Sequence, residues 1–218
     1  MNAGNVWVVV PIKEAGQAKQ RLGDAVPAAL KPRLALAMAE DVLSALARVP
    51  ALRGIVVVTV DPRAAQLAQR CGARVLAEGA REGQTGAVAA GAAVLGRERE
   101  HAMLTIPADV PLITPDEVTK LIEAHDRAPD FLIVPAHDGR GSNAVMCAPP
   151  QIVPLRFGDD SFVPHLEAAK HAGLDPKVIR LPGIGLDIDR PADLAAFLHI
   201  PSRTHTRALL EEAGIGSR

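Results

Sequence analysis

Thr105-Ile106-Pro107-Ala108-Asp109-Val110-Pro111, closing the run that begins at His101, is the stretch from which the rest of the chain can be read. Ala102 to Ile106 is a short apolar run ending in a β-branched residue and a proline, the pattern of a buried strand that stops. Asp109 follows, fenced by Pro107 and Pro111, whose rings fix φ and push the residues before them away from helix. A helix over Thr114–Ala124 then opens with Thr114 as cap, Pro115 in first position and Glu117 three residues past the cap, a capping box. This order holds a carboxylate stiffly at the carboxyl end of a central strand, where open α/β sheets bind their ligands. An ordinary turn aspartate is the competing reading.

Working outward, Val6 to Pro11 is a continuous apolar run, as expected of an interior parallel strand. Lys31 to Val49 carries Leu34, Met38, Val42 and Leu46 at helical spacing, with Pro32 in the first turn. Ile55–Val60 reads as a strand, Pro62–Cys71 as a helix stopped by Gly72, and Arg74–Leu76 as a short strand. A loop from Glu78 to Thr85 leads into an alanine-rich helix, Gly86–Leu95. Beyond Asp109 and its helix come a strand at Phe131–Pro135, a turn at His137–Ser142 and a return strand at Asn143–Cys147. Ser161–Ala172 and Pro191–Leu198 are helical, while Lys177–Leu181 and Gly185–Asp189 are extended. Strand and helix alternate four times before the order breaks near residue 136. The expectation is an α/β fold: a mostly parallel central sheet with helices on both faces and a late antiparallel addition. Without an internal repeat or a linker, residues 1–218 read as a single domain, with 199–218 a C-terminal tail carrying a surface helix at Arg203–Ala213.

The formal net charge is −1, which argues against a general affinity for nucleic acid or membranes. Aromatic residues make up 2% of the chain and apolar ones 48%, so the core must be aliphatic. Cys71 and Cys147 lie far apart without metal-ligand spacing and read as reduced, buried thiols. No stretch is long enough to span a bilayer and no cleavable leader is present, so a cytoplasmic protein is expected. Walker and dinucleotide glycine patterns are missing, as is the Gly-x-Ser-x-Gly elbow.

Three groups of residues carry candidate chemistry. Lys13, Lys19 and Arg21 follow the first strand, with Gly16 relaxing the backbone between them; such cations suit a polyphosphate, or form a solvated loop. In Gly185-Leu186-Asp187-Ile188-Asp189-Arg190-Pro191, an extended chain puts Asp187 and Asp189 on one face and Leu186 and Ile188 on the other. Two neighbouring carboxylates repel unless a cation lies between them, and with Asp109 they match the hard ion magnesium. Asp189 as a mere helix cap is the plainer alternative. Last, Gly139-Arg140-Gly141-Ser142-Asn143 and Arg156-Phe157-Gly158 with Ser161 form two polar turns suited to an anion, or to hairpin and capping roles. His165 and the other histidines lack zinc or triad spacing and read as satisfied core or surface residues.

Taken in order, these segments resemble the 2-phospho-L-lactate guanylyltransferases. The resemblance runs from about residue 6 to 198 through Val8 to Lys13, Ala18 to Leu22, Pro107 to Pro111, Gly139 to Asn143, Arg156 to Gly158 with Ser161, and Leu186 to Leu194. It implies a Rossmann-like nucleotidyltransferase fold of glycosyltransferase-A type. The implied reaction moves GMP from GTP to the phosphate of a three-carbon acid, with pyrophosphate release, in deazaflavin coenzyme F-420 biosynthesis. By the same resemblance Asp109, Asp187 and Asp189 hold magnesium, and Lys13, Lys19 and Arg21 bind the GTP phosphates, Lys19 and Asp109 being catalytic. Gly83 and Gln84 face the nucleotide, and Ser142, Gly158 and Ser161 line the acceptor site, with Arg140 and Arg156 added as cations. Two departures stand out. Gly-Thr-Gly-Thr-Asn is usual where this chain has Gly139-Arg140-Gly141-Ser142-Asn143, and Gly-Leu-Asn is common where it has Gly83-Gln84-Thr85-Gly86. Arg140 and the tail after Leu198 lean towards 3-phospho-D-glycerate over 2-phospho-L-lactate and phosphoenolpyruvate. Rivals are a molybdopterin or sugar-phosphate nucleotidyltransferase and a catalytically silent nucleotide-binding module; monomer and homodimer both remain open.

Overall fold

Strands β1 (Val6–Pro11), β2 (Leu52–Val58), β3 (Arg74–Leu76), β4 (Ala102–Thr105), β5 (Asp130–Pro135), β6 (Ser142–Ala148) and β7 (Lys177–Val178) form one sheet. A computed structural model describes residues 5–216, so the outermost residues of the expected 1–218 domain lie outside the described region. The strand order is β3-β2-β1-β4-β6-β5-β7, and only β6 runs antiparallel to its neighbours. Val8, Val9 and Val10 are fully buried because β1 sits inside the sheet with both faces covered. On one face Val8 and Val10 pack with α1 (Lys31–Leu46), α2 (Pro62–Arg70) and α4 (Pro115–Glu123). On the other, Val9 meets α3 (Gly83–Arg97), and Phe131 and Val145 meet α5 (Phe162–His171). Gly91 lets α3 lie close against β1, since a Cβ there would come within 2.7 Å of a Val9 methyl.

The expected capping box is present: Thr114 Oγ1 accepts the Glu117 N–H at 3.2 Å. Glu117 does more than cap. Its carboxylate also accepts the Gly183 N–H at 2.7 Å, tying α4 to the one-turn helix α6 (Pro182–Gly185). Gly183 has no room for a Cβ against the Leu112 carbonyl and Glu117. Gly185–Asp189, expected to be extended, forms no strand, and its first residue belongs to a helical turn. Pro182 starts a helical turn that takes up Gly185, and the following residues pair with the sheet region through Ile188 N–H to the Asp109 carbonyl at 3.0 Å. Lys177–Leu181 shortens to the two residues of β7, and α3 begins at Gly83 rather than Gly86.

A second, smaller core lies beside the sheet. Leu22, Leu34, Met38, Leu186, Ile188, Leu194 and Phe197 meet there with Leu210 of the last helix, α8 (His205–Glu212); Leu194 and Phe197 belong to α7 (Pro191–His199). The described part of the C-terminal tail is therefore clamped onto α1. Asp41 of α1 accepts the backbone N–H of His205 and Thr206 at 2.7 and 2.9 Å and the Thr206 hydroxyl at 2.6 Å. Asp41→Ala is expected to lower the unfolding free energy by about 1–3 kcal/mol, because the two Thr206 donors stay buried without a partner. Urea denaturation checks this; an unchanged midpoint would mean the helix is an appendage. No described helix is long and apolar enough to cross a membrane.

Candidate active site

In the sheet, β2 and β3 lie on one side of β1 and β4 on the other, so strand addition reverses between β1 and β4. A cleft of about 670 Å³ opens at the carboxyl ends of these two strands, the position that reversal makes available to a ligand. Lys13 reaches its wall just after β1, and Asp109 just after β4.

Lys19 draws the acidic segments together. Its side chain is 7% exposed, and its ammonium donates to Asp109 Oδ2 at 2.6 Å and stands 3.9 Å from Asp189 Oδ1. Its backbone is left-handed (φ 59°, ψ 28°), a conformation that costs a side-chain-bearing residue free energy and persists where surroundings enforce it. Leu22 is part of that enforcement. It is fully buried in the same small core as Leu186 and Ile188, so one apolar cluster supports both the Lys19–Arg21 segment and the Leu186–Asp189 segment. Leu186 and Ile188 point into that core while Asp187 and Asp189 line the cleft, so the expected alternation holds even without a strand.

Asp187 accepts from Asn143 Nδ2 at 3.0 Å, and the same amide group lies 3.0 and 2.9 Å from the carbonyls of Ile184 and Gly185. Burial raises the pKa of the Asp187 carboxyl, and the charge of Asp109 raises it further. Asp189 does not cap α7: Asp193 accepts the N–H groups of Asp189 and Arg190 at 3.1 and 2.7 Å, leaving the Asp189 carboxylate to the cleft. There Arg21 bonds Asp189 at 3.1 Å and Asp159 at 2.8 Å, and Arg190 bonds Asp159 at 3.3 Å. These pairs sit at the open mouth, where solvent screens them.

The loop carrying Lys13 is pinned from below by Asp61, which accepts the N–H groups of Ala15 at 2.8 Å, Arg63 at 2.8 Å and Ala64 at 3.4 Å. Burial pushes the Asp61 carboxyl up, but those donors outweigh it and hold the pKa below the usual carboxylate range. A depressed folded pKa means the stabilisation is complete above the unfolded value of about 3.9 and is lost as pH falls through the folded value. Asp61→Asn is thus expected to cost roughly 1.5–3 kcal/mol near neutral pH. The gap to wild type should narrow as pH falls below the unfolded value of about 3.9. Urea midpoints across that range check it, and a gap independent of pH would count against it.

Gly83 and Gln84 form the first turn of α3, without a side-chain cap, on the cleft wall. Thr85 Oγ1 accepts the Phe157 N–H at 3.0 Å and so joins that turn to the segment carrying Gly158. Ser142, Gly158 and Ser161 also line the cleft. Ser161 precedes α5 but makes no capping bond with its side chain; its hydroxyl donates to Ser142 Oγ at 3.2 Å. Arg140 and Arg156 lie outside the cleft wall. Arg140 is committed to Asp160 at 2.6 and 3.2 Å on the surface, which removes the cation that favoured 3-phospho-D-glycerate. None of α8 reaches the cleft, so the tail lends that preference no support. The sequence assigns no individual role to Thr85, Asp159 or Arg190, and includes Asn143 only as a member of its polar turn. Of these only Asn143 had a local signal, its place beside Ser142 after two glycines.

The donor set fits a cation. The cleft wall carries Asp109, Asp138, Asp159, Asp187, Asp189, Asp193 and Glu82 against the cations of Lys13, Lys19, Arg21 and Arg190, with His137 beside Asp193, so by formal charge it is net negative. Among the described residues no three His, Cys, Asp or Glu side chains converge closely enough to hold a metal unaided. The Lys19 ammonium instead stands between Asp109 and Asp189. One or two carboxylates completed by substrate phosphates is the arrangement magnesium accepts.

The family described as "Guanylyl transferase CofC like" matches residues 6–217. A phosphoenolpyruvate guanylyltransferase of Rubrobacter xylanophilus is 37% identical over 88% of this chain and 92% of its own length. Another from Roseiflexus castenholzii is 35% identical over 95% of each. Among solved structures, a protein of Desulfovibrio desulfuricans described as a nucleotide-diphospho-sugar transferase superposes with a TM-score of 0.71 at 20% identity, covering 97% of this chain and 96% of that one. A CMP:2-keto-3-deoxy-manno-octonic acid synthetase complexed with CTP gives 0.61 at 16%, covering 95% and 99%. At those identities the structures speak for the fold, which is that of the nucleotidyltransferases.

Proposed function

Because the chain belongs to the CofC-like guanylyl transferase family, we propose that it moves GMP from GTP to the phosphate of a three-carbon phosphoacid, with magnesium, in deazaflavin coenzyme F-420 biosynthesis. Phosphoenolpyruvate is the first candidate acceptor, from the names of the relatives; 3-phospho-D-glycerate and 2-phospho-L-lactate are the others.

The observation that carries this reading is the meeting of Lys19, Asp109 and Asp189 at the strand reversal. An acceptor phosphate oxygen attacks the α-phosphorus of GTP, a P–O bond forms, and the bond to the bridging oxygen breaks as pyrophosphate leaves. A phosphate dianion is already a nucleophile near neutral pH, so no general base is required. The barrier lies in bringing two anions into line and neutralising the leaving group. In this reading Lys13 and Lys19, which line the cleft, would meet the triphosphate, Arg21 and Arg190 charge at the mouth, and the uncapped first turn of α3 would offer backbone N–H groups. When bound, magnesium supplies the positive charge that Asp109, Asp187 and Asp189 need beside phosphate oxygens.

Purified protein with magnesium and GTP, followed for pyrophosphate release as each phosphoacid is added, tests the proposal. Release with at least one three-carbon phosphoacid is expected. Release only with a pterin or sugar phosphate would overturn it, and tight GTP binding with no release for any acceptor would favour a silent module.

A further inference from the structure

His165 is 1% exposed and would pass for an ordinary core histidine, but its two nitrogens have unlike partners. Nε2 lies 2.9 Å from the backbone N–H of Arg156, which can only donate. Nε2 must therefore carry the lone pair, and the ring proton sits on Nδ1. Nδ1 is 3.0 Å from Ser142 Oγ, so it donates there, and the Ser161 hydroxyl donates to the same oxygen at 3.2 Å. A hydroxyl oxygen accepts two hydrogen bonds and donates one. With both acceptor positions of Ser142 filled from the protein side, its own proton is left for the cleft that Ser142 lines.

From this geometry we infer that His165 is a positioning residue for the acceptor subsite: it forces the Ser142 hydroxyl to present a hydrogen, not a lone pair, to an anionic oxygen of the acceptor. That the anion is a carboxylate or phosphate oxygen of the three-carbon acid rests on the proposed guanylyl transfer; the direction of the Ser142 hydroxyl does not. The surroundings keep the relay in one state. Burial lowers the imidazole pKa to about 4, so the ring stays neutral near neutral pH. A second ring proton would also face the Arg156 N–H head on. Phe157, itself on the cleft wall, meets the ring edge to face with centroids 5.0 Å apart, which holds its plane. Arg156, placed by sequence among the acceptor cations, contributes here through its backbone.

The test compares His165→Leu, which loses the N–H, with His165→Asn, whose amide N–H occupies nearly the same position as Nδ1. His165→Leu is expected to raise the KM for the acceptor by about tenfold with the KM for GTP unchanged, whereas His165→Asn stays within about threefold of wild type. In a Ser142→Ala background, His165→Leu should add nothing. Multiplying losses in the double variant, or an equal rise in both KM values, would overturn the inference by showing a merely structural role. Long-range proton–nitrogen NMR of the wild-type protein reads the tautomer without reference to catalysis or to a variant's folding: an Nδ1–H ring is expected, and an Nε2–H ring overturns the relay. Should wild type release no pyrophosphate with any acceptor, the proposed function fails, while the tautomer still decides the relay.

Discussion

Asp109→Asn is expected to lower the turnover of guanylyl transfer by at least about a hundredfold, the scale seen when one preorganised electrostatic contact to a transition state is removed. The exchange is isosteric, and the contact that holds the backbone here, from the Ile188 N–H to the Asp109 carbonyl, does not involve the side chain. The fold should therefore survive and the loss be chemical. The substitution has a second readout. The Asp109 charge helps keep the Asp187 carboxyl above its ordinary pKa, after burial, so its removal should bring Asp187 down. Carbon-detected NMR titration of Asp187 in both proteins measures that shift. Turnover within about tenfold of wild type would refute a central role for Asp109.

Replacing Lys19 by glycine should separate function from stability. The ammonium is lost, and with it a cation that touches Asp109 and approaches Asp189. Turnover is again expected to fall by about a hundredfold or more. Stability should respond differently. Glycine accepts the left-handed backbone that lysine holds under strain, and the relief, about 1–2 kcal/mol, acts against the loss of the ion pair. The side chains of Asp109 and Asp189 are 28% and 33% exposed, so solvent can take over once the ammonium is gone. Kinetics and thermal unfolding measured on the same preparation check both halves. A protein that kept its turnover but melted far lower would show that Lys19 is there for the fold.

The layered α/β fold was legible because its signals are local. The capping box at Thr114 and Glu117, the buried runs of β1 and β4 and the helical spacing in α1 each depend on residues a few positions apart. Of the thirteen candidate site residues singled out in the sequence, eleven line one cleft, whereas Arg140 and Arg156 do not. A cation in a turn has no direction in sequence, and Arg140 pairs with Asp160, twenty residues away. Gly185–Asp189 reads as extended from its alternation, yet it forms no strand. Its alternation is real, but it serves packing of Leu186 and Ile188 into the small core, with no neighbouring strand to pair with.

The sequence by itself determined the alternation of strands and helices and the position of a rigid carboxylate at a strand end, since periodicity, proline geometry and capping act over a single turn or strand. Only the tertiary structure decided what each polar group faces. Lys19 meets Asp109 across ninety residues, Asn143 meets Asp187 across forty-four, and His165 meets Ser142 across twenty-three. Those partnerships depend on where the packed layers bring distant loops together, and no local spacing encodes that.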